Sequence, residues 1–241
     1  MMKEVADECA NELSWARRLV TIVPAIPKQD FSEDTRKTIS MVRHHICDPA
    51  VAADGNSLLL LSEDMGFRLW ASAAFSVPNT WLQPVLIAAR DEGHLTNVEY
   101  CEAINMLALS GHIYTSLDSH CLIHQARKND FAVPAELSHL IEILGGPSAD
   151  LRANSRVMAS FITMLLHECS DELKVKRILS EIFTSITNGR QEDQRQLIGL
   201  VVEQVIIRKT FLSEHALGWL VGHSLGMPYF RDLLMMQKKY Q

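Results

Sequence analysis

Apolar positions in the first part of the chain repeat at intervals of three and four. Ala6, Cys9, Ala10, Leu13, Ala16 and Leu19 line one face of an amphipathic helix. Thr21-Ile22-Val23-Pro24 then gives a brief β-prone run that proline stops. Ser32, followed by Glu33 and Asp34, carries the signals of a helix start, with Ile39, Val42 and Ile46 on its apolar face. Asp54-Gly55-Asn56 reads as a loop. After it the texture changes: Leu58-Leu59-Leu60-Leu61 is an apolar run of strand length, closed by the polar Ser62-Glu63-Asp64. Helical spacing resumes over 65–75 through Phe67, Trp70, Ala71 and Ala74. It returns over 81–91 after the break at Ser76-Val77-Pro78-Asn79. Strand, acids and helix in that order predict an α/β architecture, with polar chemistry where a buried parallel strand ends.

The rest of the chain has helical periods almost throughout. Thr96-Asn97-Val98-Glu99 is a capping box, backed by Val98, Cys101, Ile104 and Leu107 and stopped at Gly111. Further helices are expected at about 117–127, 135–144, 151–168, 172–187, 193–208 and 214–225. Within 193–208, residues 197–207 hold enough Val and Ile to suit a strand as well. No sequence period links the helices, so a regular repeat array is not supported. Gly145-Gly146-Pro147-Ser148 is the clearest interior break. The pattern divides the chain into an α/β region at 1–128 and a helical region at 129–241.

Composition narrows the function. The 241 residues carry 23 Lys and Arg against 29 Asp and Glu, a formal charge of -6. No large basic field is present for sequence-blind binding to duplex nucleic acid. Five widely spaced cysteines with no C-x-x-C read as reduced thiols, which suits the cytoplasm. The acidic start lacks the apolar core of a secretory signal. The uncharged stretch from Ala216 to Phe230 is shorter than the roughly 20 residues of a membrane span. No membrane partner is expected.

The sharpest chemical cluster is Glu63-Asp64, where the apolar run ends and a helix begins. Acids gathered at one sheet edge can hold Mg²⁺ or Mn²⁺; equally, Ser62 or Asp64 can cap the following helix. Asp48-Pro49-Ala50-Val51-Ala52-Ala53 offers a second carboxylate ahead of small residues, or a simple turn at a helix stop. His120 and His124, four apart, have no obvious third ligand, and His44-His45 reads as an exposed helix end. Gly218, Gly222 and Gly226 read as packing positions, and Trp70 and Trp81 as core anchors. Neither a P-loop, a G-x-G-x-x-G nor a G-x-S-x-G occurs.

Residues 57–118 resemble the C-terminal half of the PIN domain, a metal-dependent ribonuclease fold found in many toxin–antitoxin pairs. The resemblance rests on LLLLSEDMGFRLWASAAF, then VPNTWLQPVLIAARDEGHL, then YCEAINMLALSGHIYTS. It implies a PIN-like parallel sheet flanked by helices over 1–128, and a nuclease in which acids bind divalent ions that activate water against an RNA phosphodiester. On that likeness Asp64 is the acid after the last core strand, with Glu63 beside it. Asp48 opens the family's Asp-x-x-x-Ala-Ala helix, with Asp54 as a competitor, and Glu8 (or Glu4) stands for the glutamate of an earlier helix. The implied cofactor is Mg²⁺ or Mn²⁺ and the implied substrate single-stranded RNA. The family usually begins with an apolar strand bearing an aspartate, which this sequence does not show. Cleavage is therefore expected to be weak or absent, and the rival expectation is a non-catalytic protein whose helices bind another protein.

Overall fold

The computed structural model describes residues 14, 18, 21–26, 31–41, 44–112, 115–147, 149–190 and 193–224. Glu4, Glu8, Gly226 and most of the helix expected over 6–19 lie outside them. Eleven helices and one two-stranded sheet make up the described elements. Two compact units divide the chain, Met1–Val85 and Leu86–Gln241.

In the first unit, α1 spans Glu33–Met41 and α2 spans His44–Asn56. The Ser32 hydroxyl caps α1 by accepting from the Thr35 N–H at 3.1 Å. β1 is Leu60–Leu61, α3 is Met65–Phe75, and β2 is Asn79–Thr80. The strands pair in parallel, Leu60 opposite Asn79 and Leu61 opposite Thr80, so β1, α3 and β2 form one crossover. Ala50, Ala53, Leu60, Ala71 and Val77 form a small core, with Phe67, Trp70 and Phe75 packed against it. The three aromatic rings form a chain, with Phe67 stacked on Trp70 and Trp70 edge-on to Phe75 at 5.5 Å.

The α/β expectation is therefore corrected: the described residues are mostly helical, and their sheet is two residues long on each strand. The reason lies at the end of α2. Asp54-Gly55-Asn56 is its last turn rather than a loop. Ser57 then takes a left-handed conformation, with φ of 57°. The Leu58 N–H donates to the Ala53 carbonyl at 2.8 Å and the Ser57 N–H to that of Asp54 at 3.3 Å. This is the closing pattern of a helix C-terminus. It removes Ser57 and Leu58 from any extended strand. Only Leu60 of the leucine run is buried, at 4% exposure; Leu58, Leu59 and Leu61 are exposed. Asp48-Pro49 is corrected as well, since it lies inside α2 and does not end a helix.

The division between units falls within α4, Leu82–Asp91. The second unit continues with α5 (Asn97–Leu109), α6 (Ser119–Lys128), α7 (Ala135–Gly145), α8 (Leu151–Glu168), α9 (Glu172–Thr187), α10 (Gln194–Val202) and α11 (Lys209–Ser224). Aspartate side chains cap three of them: Asp118 starts α6, Asp150 α8 and Asp171 α9. The capping box at Thr96 and Glu99 is formed in both directions. No described residue of 150–241 is in a strand. α10 stops at Val202, short of the expected 208, and Arg208 carries a positive φ of 47° just before α11. The core of this unit includes Phe161 and Phe183, Leu137, Ile141 and Ile178, all fully buried. Cys47, Cys101, Cys121 and Cys169 are free thiols, all buried. No helix among the described residues is long and apolar enough to cross a membrane.

The bend between α7 and α8 is held by Arg190, whose guanidinium donates to the carbonyls of Gly145, Gly146 and Pro147 at 2.8, 2.6 and 2.9 Å. A second long-range tie joins α6 to the end of α8, where Arg127 donates to both Glu168 oxygens. That fork holds the Glu168 carboxyl below its usual value. A depressed folded-state pKa stabilises fully above the unfolded glutamate value and is lost as pH falls through the folded one. Arg127 is half-exposed, so the contribution is about 1 kcal/mol at most. Glu168→Gln is expected to lower the denaturant midpoint at pH 7. As pH falls through the folded-state value the midpoints of the variant and the wild type should converge.

Candidate functional site

The acids after β1 sit where two helices begin. Asp64 is the N-cap of α3, with extended backbone, and its Oδ1 accepts from the Phe67 N–H at 2.9 Å. Its own N–H donates to the Ser62 hydroxyl at 3.2 Å. Glu63 Oε1 accepts from the Leu82 N–H, the first residue of α4, at 2.7 Å. Parallel pairing puts the ends of β1 and β2 side by side, so adjacent carboxylates reach the N-termini of α3 and α4 respectively. Those ends carry the positive poles of the helix dipoles, which favours negative charge there. Asp64 is exposed and Glu63 half-buried.

Arg68 completes this edge, and the sequence reading did not single it out. It is buried at 7% exposure on α3, with Nη1 donating to the Ser62 carbonyl at 3.0 Å and Cζ lying 4.7 Å from the centre of the Trp81 ring. An arginine on the buried side of an otherwise apolar helix, four residues after the capping acid, was the available signal. The Trp81 indole N–H is buried with no hydrogen-bond partner among the described residues.

The other expected acids are placed differently. Asp48 is an exposed residue within α2, just before the buried Ala50, and its charge adds to burial in pushing the Cys47 thiol up. Asp54 lies on the last turn of α2. Glu8 lies outside the described residues. Among the described residues no three His, Cys, Asp or Glu side chains come together as a metal-ligating group. This includes the His120–His124 pair on α6, where His124 Nε2 lies 3.8 Å from Glu102 Oε1. Glu63 and Asp64 are sequence neighbours at the end of β1, held on the N-termini of two different helices. Their hard carboxylate oxygens suit Mg²⁺ or Mn²⁺, and Mg²⁺ is commonly held by one or two carboxylates plus waters and substrate phosphate.

Residues 4–73 match the family model of the PIN domain associated with the TPR-GreAB-C-PIN system. This stretch is PIN-related. The match contains Glu4, Glu8, Asp48, Asp54, Glu63 and Asp64, and ends within α3. The likeness to a PIN C-terminal half expected over 57–118 overlaps the match only at 57–73, so the match does not support a C-terminal half. Neither a curated protein nor a solved structure matches the chain.

Proposed function

We propose that this chain is a PIN-type, metal-dependent ribonuclease with weak activity, its acidic centre built around Glu63 and Asp64. The observation that carries the reading is the pair of neighbouring carboxylates at the end of β1, within the PIN-related residues and each held on a helix N-terminus. Glu63 and Asp64 would hold Mg²⁺ or Mn²⁺, since Asp48 and Asp54 on α2 join them in no group of three among the described residues. A divalent ion bound there supplies the charge that activates water for attack on an RNA phosphodiester. The chain's own contribution is positioning. The Phe67 N–H orients the Asp64 carboxylate, the Leu82 N–H orients Glu63, and Arg68 braces the turn through the Ser62 carbonyl. Carboxylates held in this way need little ordering when a ligand arrives, which lowers the entropic cost of binding.

A second reading, a non-catalytic module that binds protein through its helices, draws on the same two hydrogen bonds, since both acids already serve as helix caps. The matched family is also described by its association with a TPR-GreAB-C-PIN system, which suits a chain that works beside other proteins. Incubation with single-stranded RNA separates the readings. Slow cleavage that requires Mn²⁺ and stops with EDTA is expected. Cleavage that continues in EDTA would exclude the metal-nuclease mechanism, and its absence at every Mn²⁺ concentration would leave the binding module.

A further inference from the structure

One edge of β1 is paired and the other is free. The Leu60 N–H donates to the Pro78 carbonyl at 2.9 Å and the Ser62 N–H to that of Thr80 at 3.1 Å, so these residues turn their main-chain groups toward β2. Strand geometry turns the N–H and C=O of Leu59 and Leu61 the opposite way. No hydrogen bond to either is present among the described residues, whose sheet consists of β1 and β2 alone. We propose that a second copy of this chain covers this edge, with β1 paired antiparallel to its counterpart across a two-fold axis.

Exposure follows the same alternation. Leu60 is buried in the small core, while Leu59 and Leu61, on the opposite face, are 57% and 53% exposed. Parallel strands are ordinarily covered on both faces and belong to larger sheets. Natural edge strands are guarded by a charge, a proline or a bulge. Here the edge is three consecutive leucines with none of these. Such an edge accepts another strand, which offers N–H and C=O groups at the matching spacing.

Register and charge both suit a copy of the same strand. A two-fold axis makes the contact self-complementary. With outward groups at 59 and 61, the register that satisfies them sets Leu60 opposite its own counterpart and Leu59 opposite Leu61 of the partner subunit. Each directly opposed pair of that kind exchanges both of its N–H···O bonds. The exposed leucines of the two copies then meet on one face, where they gain cross-strand contact. The acids decide the direction. A parallel copy in register would stack Glu63 and Asp64 beside like charges, which is destabilising. The antiparallel copy places the acids at opposite ends of the leucine run, about 20 Å apart at roughly 3.3 Å per residue. Both carboxylates keep their helix N-termini, so the pairing is independent of the acidic centre.

Sedimentation velocity of the whole chain is expected to show a reversible dimer with a Kd on the order of 10 μM, in keeping with a small interface. Leu61→Lys brings like charges onto the shared face and should weaken association at least about tenfold. Leu61 is exposed, so the circular-dichroism spectrum and melting curve should not change. Cross-linking reads the register. An equal mixture of Leu59→Cys and Leu61→Cys chains should form a disulfide-linked dimer under mild oxidation by copper–phenanthroline, because directly opposed Cα atoms lie about 5.5 Å apart. Either variant alone presents only diagonal neighbours, roughly 7–8 Å apart, and should cross-link far less. A chain that stays monomeric well above the expected Kd, a dimer that Leu61→Lys leaves intact, or equal cross-linking of the mixture and the single variants would each overturn the proposal. So would a monomer whose Leu59 and Leu61 amides resist hydrogen exchange, since a segment of the same chain, such as residues 21–26, would then cover the edge.

Discussion

Asp64→Asn is expected to reduce RNA cleavage by about a hundredfold or more while leaving stability nearly unchanged. Asparagine and aspartate are nearly equivalent N-caps, because each offers a side-chain oxygen to the N–H groups of the first turn. The bond from the Phe67 N–H is therefore kept, and α3 still starts at Met65. What is lost is the charge that an ion would meet, and even outer partners of a metal site change activity by 10–100-fold. Asp64→Ala should behave differently, losing the cap as well and about 1 kcal/mol of stability with it. Measuring both variants for cleavage and for thermal midpoint separates the two roles of this carboxylate. If Asp64→Asn keeps its activity, the residue is a cap and nothing more.

Phe161→Ala is expected to cost about 3–5 kcal/mol, as large-to-small changes at fully buried aromatic positions do. Phe161 is completely buried on α8, among the side chains that form the core of the second unit. The substitution removes apolar contact and leaves a cavity that fixed helices cannot fill. At the scale of a domain of about 150 residues, the thermal midpoint should fall by roughly 10 °C. Met106→Ala is the contrast: that side chain is 68% exposed on α5, and its removal should change stability by no more than about 0.5 kcal/mol. Thermal or urea unfolding of the two variants checks both values, and a small loss at Phe161 would contradict the core assignment.

Helices with both a long apolar stripe and a capping residue were legible from the chain alone. α8 and α9 match the expected 151–168 and 172–187, because Asp150 and Asp171 fix their starts and period-3.6 burial continues to their ends. α3 also falls on the expected 65–75. The leucine run was misleading because its apolar character does not reveal which leucines a neighbouring element covers. The left-handed Ser57 begins a helix-closing turn, and that backbone choice is invisible in composition. Pro49 was similarly opaque: α2 runs through it, although proline more often marks a helix boundary.

At the acidic site, the cap by Asp64 was one of two open readings, since Asp before an apolar helix is a local signal. The bond from Leu82 to Glu63 was not legible, because it spans 19 residues and depends on the pairing of β1 with β2. The free edge of β1 was hidden for the same reason, because it is defined by that pairing.

Calorimetric titration of Mn²⁺ into the wild-type chain and into Asp64→Asn tests the acidic centre most directly. One saturable binding event in the wild type, lost in a variant with an unchanged circular-dichroism spectrum and melting curve, is the predicted result. Identical heats in the two proteins, whether both bind the ion or neither does, would contradict it.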